Sequence, residues 1–194
     1  MSNKKFKLTY NSPVILTFAA ICIVALILDM ITRGFTNRLL FICYGHGSLL
    51  DPLTYLRLFS YVFGHANFTH LAGNITMLLL VGPIAEERYG SWNLCIMMAV
   101  TALAGGILNT LFFNTGILGA SGIVFLMIIL SAFTGVKKGE IPLTLILVAA
   151  VYLGQEIYSG LFVNDNVSHF GHLCGGVSGL GFGAYFYKKK FELK

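Results

Sequence analysis

Long apolar runs alternate with short polar or glycine-rich breaks along this chain. The runs cover Val14–Ile31, Thr69–Ala85, Trp92–Phe113, Ser121–Val136, Ile141–Gly160 and Ser168–Tyr187. Each lies within, or close to, the roughly 17–25 residues that a membrane helix needs. The pattern predicts an all-α, polytopic membrane protein: a bundle of six transmembrane helices. The fourth run is the shortest, 16 residues. At helical rise it covers roughly 24 Å, less than the ~30 Å hydrocarbon core. One end of this helix is therefore expected to stop inside the bilayer. The irregular stretch before it, "NTGILGA", must be shielded by protein or line a wet cavity.

The longest connection, 32–68, is too long for a plain loop in a compact domain. Within it, "YLRLFSYVF" (Tyr55–Phe63) reads either as a short helix lying in the outer interface or as loop packed on the bundle. The chain then divides into a short N-terminal segment (1–13), one membrane domain (14–187, with loop one at 32–68) and a basic tail (188–194). The first run follows "MSNKKFK" with no small-x-small cleavage site after it, so it reads as an uncleaved helix.

Composition sharpens this. Of the 194 residues, 56% are hydrophobic and 11% charged, where soluble domains carry about 25% charged. The net charge of +5 comes from clusters at segment ends, where lipid headgroups lie, so it points to a bilayer and not to nucleic acid. With the N-terminus inside, ten lysines and arginines fall on the inner side and three, Arg33, Arg38 and Arg57, outside. The positive-inside rule then places both termini in the cytoplasm of a cell (inner or plasma) membrane. Cys22, Cys43, Cys95 and Cys174 show no CxxC pairing, which argues against a disulfide framework.

Polar residues inside the runs carry the candidate chemistry. Ser121 precedes Lys137, His172 precedes Lys188, and His70 precedes Glu86, each by 16 residues. All three should sit about 24 Å above the inner charged layer. Asn74 lies one turn below His70 on the same face. Such groups are costly in a span and usually face the bundle interior or a cavity. Gly171, Gly175, Gly179 and Gly183 recur every four residues on the sixth run, and Gly119, Ala120 and Gly122 flank Ser121. Small residues let helices approach backbone to backbone. The glycines serve packing alone, or they bring Ser121 to His172.

A serine needs a base to become a nucleophile, and His172 is the candidate. Asp29, Asp51, Glu156 and Asp165 are assigned to outer helix ends or loops, so the expectation is a Ser–His dyad without a carboxylate. Ser121 opens its helix, and the free N–H groups there can stabilise an oxyanion, with His70 and Asn74 as further donors. Hydrolysis needs water, so a polar cavity open to the outside is expected, lined by the start of the fourth helix and by "HANFTH" (65–70). No HExxH pair, mid-span aspartate, Walker loop or dinucleotide fingerprint is present, and neither metal nor cofactor is expected. His169 is not expected to be the base. His65 reads as structural and His46 as a loop residue. Glu86 and Arg88 read as an inner-surface ion pair. Asn109 and Gln155 either line the cavity or bond backbone.

With these residues in place, the chain resembles the rhomboids, a family of intramembrane serine proteases. "GASG" (119–122) matches the nucleophile motif GxSG, and His70–Asn74 matches HxxxN. His172 with Gly175 and Gly179 matches the sixth-helix motif, and Glu86–Gly90 matches ExxxG. The resemblance covers roughly Tyr55–Tyr187. It implies a six-helix bundle that cuts transmembrane protein substrates near the outer face, after a small residue and near helix-weakening ones. Ser121 attacks, His172 is the base, and the Ser121 amide, His70 and Asn74 bind the oxyanion. The fifth helix and the loop near Asn164–Val167 form a gate and a cap. Two departures stand out: the family's loop-one Trp-Arg pair is Leu56–Arg57 here, and the aromatic residue four after the serine, often tyrosine, is Phe125. Phe125 can still stack on His172. The competing reading is a non-catalytic membrane-protein chaperone or small transporter using the polar cluster as a relay. Relays usually hold a carboxylate within a span, and none stands out in the sequence.

Overall fold

The structure is a computed structural model that describes residues 9–163 and 168–191. Seven α-helices order these residues: α1 (Pro13–Ile31), α2 (Pro52–Ser60), α3 (Phe68–Tyr89), α4 (Ser91–Phe112), α5 (Ser121–Ala132), α6 (Leu143–Phe162) and α7 (His169–Phe191). All six apolar runs are helical. By length and composition α1, α3, α4 and α6 are each able to cross a membrane. α5 is apolar but has 12 residues before a 3₁₀ turn at Phe133–Gly135. α7 is long enough, but glycines, two histidines and three lysines dilute its apolar content. The protein is an all-α polytopic membrane bundle.

The short helix α5 is the axis of the bundle. Ile123, Leu126, Met127, Ile129 and Leu130 are all buried, against α3, α4, α6 and α7. The surrounding helices bury one stripe each and turn large apolar side chains outward, including Ile27, Leu80, Val100 and Leu147. That inversion suits a lipid solvent, where the outer surface need not be polar. α6 is the most peripheral, burying only Leu145 and Glu156.

Loop one is structured. Its middle is the helix α2, with Asp51 capping the Leu53 N–H and Pro52 at the first position. Thr54, Arg57 and Ser60 face inward while Tyr55, Leu56 and Phe59 face outward. This settles the two sequence options in favour of a helix. Arg57 ties α2 down through Asp51 (3.0 Å), the Leu39 carbonyl (3.0 Å) and the face of Tyr44. Leu56 therefore leaves the docking of the arginine intact. Asp29 at the end of α1 accepts from the backbone and side-chain N–H of Asn37 (2.7 and 2.8 Å), and Asn37 also donates to the His65 carbonyl.

One expectation at the inner end is corrected. Glu86 forms no ion pair with Arg88 among the described residues. Its carboxylate is buried and accepts from the N–H groups of Val14 and Ile15 (both 3.1 Å) and from the Ser91 hydroxyl (2.7 Å). Helix N-termini carry free donors and a partial positive charge. Ser12 makes no side-chain cap, so α3 supplies the anion that α1 lacks.

Candidate active site

The site is built where α5 starts. The segment before it is pinned from three sides. Cys43 and Ile117 form an antiparallel bridge. Asn109 donates to the carbonyls of Cys43 and Thr115 (3.0 and 3.1 Å), so it both bonds backbone and lines the nearby cleft. The Gly119 N–H donates to the Tyr61 carbonyl at 2.9 Å. Gly119 has φ +130°, a conformation that favours glycine, and a Cβ there would stand 2.7 Å from the His70 ring.

His65 completes the anchor. It is fully buried, and its Nε2 accepts from the Ala120 N–H at 3.5 Å while its Nδ1 faces the Phe63 carbonyl at 3.1 Å. That pairing requires the neutral ring with its proton on Nδ1. Burial pushes the imidazole down to about 4, helped by the nearby His70 and opposed by the bond to Phe63. His65 is thus structural, as the sequence indicated, and it acts directly on the residue before Ser121.

His70 and Asn74 arrive from the first turns of α3, where Asn67 caps the His70 N–H at 2.8 Å. Both border Gly119. The Asn74 amide nitrogen is buried with no hydrogen-bond partner. A buried donor left unpaired is costly, and this one borders Gly119, two residues before Ser121. His46 turns loop one with a left-handed backbone, and Gln155 is exposed on α6.

α7 approaches α5 through the glycine strip. A Cβ at Gly175 would overlap the carbonyl oxygen of Gly122. The strip continues with Gly179 against Leu126 and Ile129 and Gly183 against Phe133. This contact carries His172 to the first turn of α5, where its ring stacks on Phe125 with centroids 4.6 Å apart and planes 8° from parallel. Phe125 is four residues after Ser121, so the two share a helix face. Ser121 stands at the first helical position of α5, with no side-chain cap in front of it. Its hydroxyl holds no hydrogen bond among the described residues. Catalytic hydrogen bonds are often long before substrate arrives.

A second expectation is corrected here. Glu156 belongs to the site. It is buried on α6, and its Oε2 lies 2.9 Å from His172 Nδ1 and 2.7 Å from His169 Nδ1. The contact to His169 is a directed hydrogen bond. The contact to His172 is a close charge approach off the N–H direction, which leaves Nδ1 without a hydrogen bond. The sequence count put Glu156 near an outer end, and the packing of α6 on α7 brings it level with His172.

A cleft of about 590 Å³ opens beside this cluster, lined by Asn109, Thr115–Ile117, Glu156 and His169 among others. It takes in Thr115–Ile117 of the segment before α5, but the start of α5 itself, expected to line it, does not do so. "HANFTH" does not line it; His65 and His70 pack against the Gly119–Ala120 backbone instead. The expected cap at Asn164–Val167 lies outside the described residues.

The family model described as Rhomboid domain matches residues 52–189. The chain belongs to the rhomboid family. This rhomboid is 32% identical over 137 residues to Rhomboid-related protein 1 of Caenorhabditis elegans, covering 66% of this chain and 38% of the relative. It is 31% identical over 136 residues to RHOMBOID-like protein 1 of Arabidopsis thaliana, covering 65% and 33%. It is 27% identical over 173 residues to Rhomboid protease GlpG of Serratia proteamaculans (strain 568), covering 87% and 60%. The chain thus spans less than two thirds of the length of these relatives.

Proposed function

We propose that this protein is an intramembrane serine endopeptidase that hydrolyses peptide bonds of transmembrane proteins near the outer membrane face. The observation that carries the reading is the stack of His172 on Phe125, one turn from Ser121, at a helix contact that only glycines permit. Family membership supports it, and one relative is itself named a protease.

In this reading Ser121 Oγ attacks the scissile carbonyl carbon while its proton passes to His172 Nε2. The resulting imidazolium is stabilised on its other side by the Glu156 carboxylate, which acts as a positioning residue. The developing oxyanion accepts from the Ser121 N–H, from the unpaired Asn74 amide and from His70. The tetrahedral intermediate collapses, and His172 returns the proton to the leaving amine. Water then attacks the acyl-serine with His172 again as base, releasing the new carboxylate and restoring the hydroxyl. The substrate is an unwound transmembrane segment with a small residue before the cut.

The topology that fits is six spans with both termini in the cytoplasm of the cell membrane, one protease domain at 14–187 and a basic tail at 188–194. The test is cleavage of a model transmembrane substrate in proteoliposomes. Ser121→Ala abolishes cleavage if the reading holds, and undiminished cleavage overturns it. The buried Glu156 favours one competing reading, a non-catalytic relay, since it supplies the intramembrane carboxylate that such a function needs. A relay survives Ser121→Ala and fails with Glu156→Gln.

A further inference from the structure

We propose that Glu156, His169 and His172 form a binding site for a divalent metal of the zinc type, and that filling it switches His172 off as a base. One potential ligand atom from each residue lies within 4.8 Å of the others. The set is one carboxylate oxygen and two imidazole nitrogens. Imidazole with carboxylate suits zinc and its neighbours in the transition series, whereas calcium and magnesium favour oxygen throughout.

The geometry is close to what the metal needs. His169 and His172 are three apart on the first turn of α7, so both rings leave one face of the helix. Glu156 meets them from α6, its Oε2 at 2.7 and 2.9 Å from the two Nδ1 atoms. Ligands bound tetrahedrally at about 2.0–2.2 Å stand roughly 3.4 Å apart. Opening these two contacts by about 0.5–0.7 Å accommodates the ion in place of the shared proton.

Two further observations point to a ligand. His172 Nδ1 is buried and lacks a hydrogen bond although a carboxylate oxygen stands beside it. The cleft of about 590 Å³ reaches Glu156 and His169, which gives an ion an entry path and leaves a fourth position for water.

The consequence follows from the tautomer. As a base, His172 carries its proton on Nδ1 and offers the Nε2 lone pair to Ser121. A metal takes the Nδ1 lone pair, so the neutral ring must carry its proton on Nε2. That nitrogen then donates and cannot accept the serine proton. The proton displaced from Nδ1 reappears on Nε2 by exchange with water, and no redox step is involved. Metal binding stands on the cluster alone, while the switching effect rests on the protease reading.

The test is Co²⁺ titration of the tag-free protein in detergent micelles, read by visible absorption and by displacement with Zn²⁺. The expected result is one Co²⁺ per chain, with affinity lowered at least about tenfold by His169→Ala and by Glu156→Gln. No Co²⁺ absorption from the wild-type protein at millimolar metal overturns the proposal, as does binding unchanged in both variants. A second arm measures cleavage of a transmembrane substrate with Zn²⁺ and then with EDTA. Inhibition reversed by EDTA, and weaker in His169→Ala relative to its own metal-free rate, supports the switch. Full activity with bound Zn²⁺ overturns it. Co²⁺ binding without any cleavage by metal-free protein supports the site and contradicts the protease reading instead.

Discussion

The Phe125 ring lies flat against the His172 imidazole, 4.6 Å between centroids and 8° from parallel. Tyr152 of α6 meets the same phenylalanine edge-on at 5.7 Å. Phe125 thus sits between the helix that carries Glu156 and the helix that carries His172. Stacking fixes the plane of the imidazole, and the proposed proton transfer depends on that plane.

Phe125→Ala frees the ring and should lower the turnover of a transmembrane substrate by about 10- to 100-fold. Phe125→Tyr keeps the stack and should stay near wild type. Turnover measured on both variants in one detergent checks this. Equal loss in both would separate the stack from activity.

Gly119→Ala and Gly175→Val test the two close approaches. The first forces a Cβ into a left-handed backbone against His70 and should remove most activity. The second drives α7 off the Gly122 carbonyl and should cost about 2 kcal/mol or more of stability. Thermal unfolding alongside cleavage distinguishes them: Gly119→Ala should lose proportionally more activity than stability.

Glu86→Ala should destabilise without touching the site, because it strips the buried N–H groups of Val14 and Ile15 and the Ser91 hydroxyl of their acceptor. The expected loss is about 3 kcal/mol. Glu86→Gln keeps an acceptor oxygen and should lose less. An unfolding midpoint unchanged in both would remove the capping role.

His65 gives a pH dependence of definite sign. Its pKa falls from 6.5 to about 4 on folding, so the unfolded chain binds the proton more readily. The contribution of the neutral ring is present in full above pH 6.5 and is lost as pH falls toward about 4. Unfolding midpoints across this range should drop, with a shallower slope in His65→Asn. A slope the same in the variant would assign the effect to other groups.

Much of the fold was legible in the apolar runs. The fourth run proved shorter as an α-helix than as an apolar stretch, because its last residues tighten into a 3₁₀ turn at Phe133–Gly135. Of the candidate site, Ser121, His172, His70 and Asn74 were read from matched depths and motifs; His70 and Asn74 border Gly119, and His172 stacks on Phe125. Glu156 was missed because charge on a sequence reads as an end marker. The signal was present: Glu156 lies six residues before the end of α6 and His172 three after the start of α7. By helical rise these are about 9 and 4.5 Å below one shared connection, so antiparallel packing brings them within reach. The capping of α1 by Glu86 was not legible, because the partners are more than seventy positions apart and only tertiary packing joins them.

The most direct measurement of the proposed chemistry is labelling with a fluorophosphonate probe, with the modified residue mapped by mass spectrometry. The account predicts one phosphonylated residue, Ser121, in the wild-type protein and no label in folded His172→Ala. Label absent from wild-type protein, or Ser121 modified equally without His172, would contradict it.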